Sequence, residues 1–186
     1  MEIEETIKKC LNGDQGAWKM IVNAYSQKIF SMSYQFTGSH QEAEDLTQEI
    51  FFKLYSSLKK YDFRKNFSAW LLTLAKNHLI DNYRRTKWEK KNRDELDERF
   101  FESAESEKPE HKLEQQETQK TIWKGLNQLS PDIRLALILF DIQGKTYEET
   151  AEILAVPVGT IKSRINRGRL QLTQILRGTR EVCHDL

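Results

Sequence analysis

Apolar residues recur along this chain at the three-and-four spacing of α-helices, and no stretch shows the apolar-polar alternation of half-buried strands, so the pattern predicts an all-α protein. Gly13-Asp14 opens a helix carrying Trp18, Ile21, Val22 and Tyr25; after Ser26 the set Ile29, Phe30, Met32, Ser33 and Phe36 continues to Gly38, a C-cap. Ser39 caps the next helix, to Leu58, with Glu42 completing a capping box. Ala43, Leu46, Ile50, Phe51, Leu54 and Leu58 form its inner stripe, and Glu42, Asp45, Gln48, Glu49 and Phe52 its other face. A loop with Phe63, Arg64, Lys65 and Asn66 then leads into a helix capped near Ser68, with Trp70, Leu71, Leu74, Ala75 and Leu79 inward.

The segment Lys145 to Leu172, KTYEETAEILAVPVGTIKSRINRGRLQL, reads as two helices and a tight turn. Thr146 and Glu149 form a capping box, and Tyr147, Ala151 and Leu154 repeat at helical spacing. Val156, placed before a proline, leaves the α region, while Pro157 suits the first turn of a new helix. In that helix Val158, Ile161, Ile165 and Leu172 face inward; Lys162, Ser163, Arg164, Asn166, Arg167 and Arg169 face outward. This is the pattern of a helix-turn-helix DNA reader, whose outward groups suit phosphates and base edges.

Charge changes the picture more than the net value of +1 suggests, because the signs are segregated. Lys and Arg stand against Asp and Glu as eleven to three over residues 59 to 93, four to ten over 94 to 121, and six to none over 158 to 180. Two basic blocks separated by an acidic one suggest two nucleic-acid contacts joined by a segment that avoids or shields them. The acidic stretch Asp94 to Glu110 has no apolar stripe and reads as a tether, with Phe100 and Phe101 as a possible docking pair. The predicted domains are therefore 1 to 93 and 111 to 186, with a linker at 94 to 110. At 186 residues two small helical bundles are a natural division.

No apolar run is long enough to span a bilayer and the acidic N-terminus lacks the order of a signal peptide, so a cytoplasmic protein without membrane insertion is expected. Cys10 and Cys183 lack metal-ligand spacing, and His40, His78, His111 and His184 have no ligand-spaced companions, so neither a metal nor a cofactor is expected. No nucleophile, paired acid and base or phosphate-cradling glycine loop is visible, so no enzyme is expected. Carboxylates at 42, 45 and 49 share one helical side, which leaves three readings: a metal site, a solvated surface, or a docking face centred on exposed Phe52. From Tyr61 to Arg93, aromatic, amide and basic groups interleave, as single-stranded DNA recognition requires: cations track the backbone and aromatic or amide groups receive bases.

Three stretches, AEDLTQEIFFKLY (43 to 55), FSAWLLTLAKNHLIDNYRR (67 to 85) and the run from Leu126 to Leu172, together resemble the extracytoplasmic-function sigma factors of bacterial RNA polymerase over nearly the whole chain. The resemblance implies that Asp45, Gln48, Glu49 and Phe52 bind the clamp helices of the polymerase's largest subunit. It implies that Phe63, Arg64, Lys65 and Asn66, with Asn77 and Asp81, hold a flipped base of the minus-10 element, with Lys76, Arg84 and Arg85 on nearby phosphates. Lys162, Ser163, Arg164 and Arg167 would read the minus-35 element, and Thr160 would hold a phosphate. A role in stress response and an anti-sigma partner follow from the same resemblance. The rival reading, a stand-alone helix-turn-helix regulator, requires the first domain to dimerise or sense a ligand.

Overall fold

The computed structural model describes residues 3–94 and 121–184, with side chains for 3–89 and 121–177. The Phe100 and Phe101 pair, His111 and the acidic stretch from residue 95 lie outside the described residues. Every element among them is helical: α1 (Ile3–Leu11), α2 (Gln15–Thr37), α3 (His40–Ser57), α4 (Phe67–Asp94), α5 (121–127), α6 (Pro131–Leu137), α7 (Tyr147–Leu154) and α8 (Val158–His184). A 3-10 turn, Leu58–Lys60, follows α3, and one π turn, Ile138–Ile142, follows α6.

The helix ends are set by the residues that stand there. Asp14 caps α2 through Ala17 N at 3.1 Å, and Gly38 ends it at φ 77°, the left-handed conformation that costs glycine little. Ser39 accepts from Glu42 N at 3.3 Å, which is half of the expected capping box. The other half is absent because the Glu42 carboxylate turns to α4 and accepts from Asn82 Nδ2 at 3.2 Å. The α4 cap is Asn66, whose Oδ1 accepts from Ala69 N at 3.0 Å, rather than Ser68. Burial of Phe67 decides this register: starting the helix at Phe67 puts the ring in the core. In the helix-turn-helix both capping-box bonds are present, Glu149 N to Thr146 Oγ1 at 3.1 Å and Thr146 N to Glu149 Oε2 at 2.9 Å. The turn then passes through Ala155 at φ 55°, a left-handed residue that is not glycine.

The predicted inner stripes reach different depths: Ala43, Leu46, Ile50, Phe51, Leu54 and Leu58 from α3 and its turn, Leu71, Ala75 and Leu79 from α4, and Ile161 and Ile165 from α8 are buried, whereas Trp18, Val22, Tyr25, Trp70, Leu74, Val158 and Leu172 are only partly covered and pack against that core. α6 and α8 approach so closely that a Cβ on Gly168 would stand 2.7 Å from Ile133. One contiguous apolar cluster runs through both halves of the chain.

The halves meet around Arg134, which is 2% exposed. Its guanidinium donates to Phe36 O at 2.6 Å, at the C-terminal end of α2, to Asn127 O at 2.7 Å, the last residue of α5, and to Leu129 O at 3.2 Å just past it. The partial negative charge of two helix C-termini thus converges on one cation, with the rings of Phe36 and Tyr83 at 5.0 and 6.0 Å. Burial pulls the Arg134 pKa down, yet arginine's ordinary value is high enough that the charge persists. Trp123 lies directly on Gly38, where a Cβ would come within 1.3 Å of the indole, so a side chain there clashes as well as straining the backbone. Gln143 also donates across the junction, to Lys28 O at 3.3 Å.

Candidate functional site

Three surfaces hold the residues singled out from the sequence. On α3, Asp45, Gln48, Glu49 and Phe52 are all exposed on one face, and Phe52 is 75% exposed. On the same helix Phe51 is buried, whereas Phe52 and Tyr55 stand in water, an exposed aromatic pair of the kind found at docking surfaces. Phe52 stands at the rim of a groove of about 790 Å³ whose lining includes Trp18, Gln48, Phe51 and Tyr55. Trp18 meets Tyr55 edge to face at 5.0 Å and Phe51 at 6.3 Å. Trp18 and Tyr55 extend the apolar part of this face beyond the residues picked from sequence; the exposed half of Tyr55 at the spacing of Phe52 plus three was the available signal. Of the carboxylates at 42, 45 and 49, two are held by α4, Glu42 by Asn82 and Glu49 by His78, and no cluster of potential metal ligands occurs among the described residues.

The loop before α4 is pinned from below. Tyr61 is buried, donates its hydroxyl to Lys65 O, and packs with Phe63, Phe67 and Trp70 at ring distances of 5.2, 5.4 and 5.0 Å. Arg64 grips Asp62 through Nε at 3.0 Å and Nη2 at 2.9 Å. These bonds, then the Arg64 backbone N–H and charge, hold the Asp62 pKa down to about 2. Lys8 lies 5.5 Å over Phe63, itself half-buried. Of the four loop residues, Lys65 and Asn66 are exposed, though Asn66 Oδ1 is engaged as the α4 cap, which leaves its amide nitrogen facing outward. Arg64 is exposed as well.

Along α4, Asn77, Asp81 and Arg84 stand on one exposed stripe, with Arg85 beside them, and Trp88, 66% exposed, continues it by one more turn. Trp88 was not picked out from the sequence; its place seven residues past Asp81 was the signal. Lys76 differs from its neighbours: it is half-buried, and desolvation lowers its pKa while Asp132 of the second half and Asp81 oppose the shift. Arg85 Nη2 donates to Asn82 Oδ1 at 2.9 Å.

On α8, Ser163, Asn166, Arg167 and Leu170 form the outermost exposed stripe. Lys162 is exposed and its ammonium lies 5.5 Å over the Tyr147 ring, so α7 steadies it. Thr160 is half-buried and accepts, through its carbonyl, from Ser163 Oγ at 2.8 Å. Arg164 is turned aside: its side chain is 24% exposed, with Nη1 3.9 Å from Asp132. Arg169 is held by a hydrogen-bonded pair with Asp141, which raises its pKa, and stacks over Phe140. Asn166 therefore occupies a more projecting position than Arg164.

Two family models match the chain, sigma-70 region 2 over residues 21–89 and sigma-70 region 4 over residues 119–172. The chain is similar to the ECF RNA polymerase sigma factor SigW of Bacillus subtilis, 34% identical over 183 residues, covering 95% of this chain and 98% of that one. It is also similar to the ECF RNA polymerase sigma-E factor of Escherichia coli K12, 31% identical with 88% of each chain covered. Among solved structures, the sigma factor RpoE of Bartonella quintana, crystallised with the anti-sigma factor NepR, superposes with a TM-score of 0.69 at 29% identity over 86% of this chain and 96% of that one. CnrH, solved with the cytosolic domain of CnrY, shares the fold at a TM-score of 0.70 and 21% identity, covering 93% of this chain and 96% of that one. The chain belongs to the extracytoplasmic-function sigma factors of bacterial RNA polymerase, and as such directs the polymerase to promoters and initiates transcription there. No helix among the described residues is long and apolar enough to cross a membrane.

Proposed function

We propose that the three surfaces divide the work of initiation. Asp45, Gln48, Glu49 and Phe52 on α3 dock to the clamp helices of the polymerase's largest subunit. The pinned loop Phe63 to Asn66, with Asn77 and Asp81, holds one flipped base of the minus-10 element, while Lys76, Arg84 and Arg85 meet phosphates. A carboxylate cannot donate to DNA, so Asp81 either accepts from a base amino group or orients its neighbours. On α8, Lys162, Ser163, Arg164 and Arg167 read the minus-35 element, Asn166 projects beside them, and Thr160 holds a phosphate. The domains run from 1 to 93 and from 111 to 186, joined by the acidic linker.

The chain acts without catalysing a bond itself, in the cytoplasm where the polymerase works, and it is held inactive by an anti-sigma partner, as its relative RpoE is bound by the anti-sigma factor NepR. The observation that carries this reading is the exposed Phe52 face on the same short bundle as the basic, amide-bearing stripe of α4. Phe52→Glu tests it: the variant keeps its helical circular dichroism and loses co-purification with core polymerase. Unchanged co-purification rules the docking face out.

A further inference from the structure

His78 of α4 enters the space between Glu49 and Lys53, which stand one turn apart on α3. Its ring is 7% exposed, with Nε2 2.7 Å from Glu49 Oε2 and Nδ1 2.7 Å from Lys53 Nζ. A lysine ammonium has no lone pair, so Nδ1 accepts from it, the ring proton sits on Nε2, and that proton is donated to the carboxylate. Only one neutral tautomer satisfies both neighbours. Glu49 and Lys53 face the ring from α3, and Asp81 is the charged group facing it from its own helix.

Glutamate and lysine four residues apart on a helix ordinarily pair directly. Here the imidazole is inserted between them, so each charge is held by the ring, and the Glu49 side chain stays half exposed. A histidine that merely filled the core would not spend both nitrogens on one exposed face of a neighbouring helix. The residue preceding it, Asn77, stands on the exposed stripe of α4, so this contact also ties that stripe to α3. A second bridge, Asn82 to Glu42, lies along the same seam.

We propose that His78 is a positioning residue for polymerase docking, a neutral hydrogen-bond relay from Lys53 to Glu49 that presents the Glu49 carboxylate in a fixed orientation one turn from Phe52. This rests on the reading of α3 as the docking face. A protonated ring cannot accept from Lys53, so protonation expels the ammonium and releases the arrangement. Burial first, and then the Lys53 charge, hold the His78 pKa below its ordinary 6.5, against the opposite pull of Glu49 and Asp81. The unfolded chain therefore takes up the proton first; the relay contributes fully above pH 6.5 and is lost as the pH falls through the lowered folded value.

The test measures affinity of the full chain for purified core polymerase from pH 5 to 8, for wild type, His78→Gln, His78→Leu and Glu49→Ala, with thermal melts alongside. A glutamine amide can accept from Lys53 and donate to Glu49 but does not titrate. At pH 7.5 His78→Gln binds within about threefold of wild type and His78→Leu about tenfold more weakly, the scale of losing one hydrogen bond to a charged group. Wild type alone shows an additional loss of affinity toward acid pH, which both variants lack. Wild-type affinity in His78→Leu, or a wild-type acid loss in His78→Gln, overturns the proposal. Unchanged binding by Glu49→Ala overturns the docking reading beneath it, whereas weakened binding by Glu49→Ala beside unaffected His78→Leu overturns the role of His78 alone.

Discussion

The two surfaces proposed to meet DNA are built on opposite plans. On α8 the reading groups project from a regular helix, with Ser163, Asn166 and Arg167 outermost and Lys162 steadied over Tyr147. Before α4 they sit on a loop whose underside is a cluster of rings and whose polar groups are partly spent on one another, Arg64 on Asp62 and Asn66 on the helix cap. Duplex DNA presents its base edges in a groove that admits any helix of the right shape, so projection suffices. A base outside the stack costs a few kcal/mol to extract and must be met by a site already in place. The difference teaches that the same composition, amides and cations, is deployed as a comb on one helix and as a fixed socket beside the other.

The largest loss is expected when the rings beneath the loop are removed. Phe67→Ala, in the cluster with Tyr25, Tyr61 and Trp70, is expected to cost about 3 to 5 kcal/mol of stability, read by denaturant unfolding. On α8 the expected losses are of recognition rather than stability. Arg167→Ala weakens minus-35 selectivity by about 1 to 3 kcal/mol in competition binding by holoenzyme. Arg164→Ala weakens it less, because that guanidinium is mostly covered and turned toward Asp132. Equal losses would show that Arg164 swings out to a base on binding; a loss uniform over all sequences would assign either residue to phosphate.

A gentler change sharpens the contrast. Tyr61→Phe removes only the hydroxyl bond to Lys65 O, about 1 kcal/mol, and is expected to slow promoter opening, followed by permanganate reactivity, while minus-35 binding stays as in wild type. The smallest expected effect is a gain. Ala155 holds a left-handed conformation in the helix-turn-helix turn, so Ala155→Gly stabilises the chain by about 0.5 to 1 kcal/mol in thermal unfolding, without altering the projecting face of α8.

What could be read from the chain follows the range of the interaction. The capping box of Thr146 and Glu149 lies within three residues and was legible, as was the α2 stop at Gly38. The sequence alone puts the α4 cap near Ser68, two residues late, because Asn66 and Ser68 are both competent caps and only the burial of Phe67 chooses between them. Arg134 stands in the apolar run DIRLALIL, and nothing local marks it as a buried junction: its acceptors are backbone carbonyls, one of them 98 residues away. The same holds for His78, whose partners lie 25 and 29 residues back. The exposed site residues were legible from helical phase alone; which of them are already engaged, as Arg164 and Asn66 are, depended on elements that periodicity cannot bring together.

If one docking face and two DNA surfaces act in a single initiating complex, run-off transcription with purified core polymerase depends on all three. Transcripts from a defined start are expected only when the chain is added, and they are lost with Phe52→Glu. An unchanged transcript pattern on addition of the chain, together with tight sequence-specific binding by the free protein, would contradict that single complex.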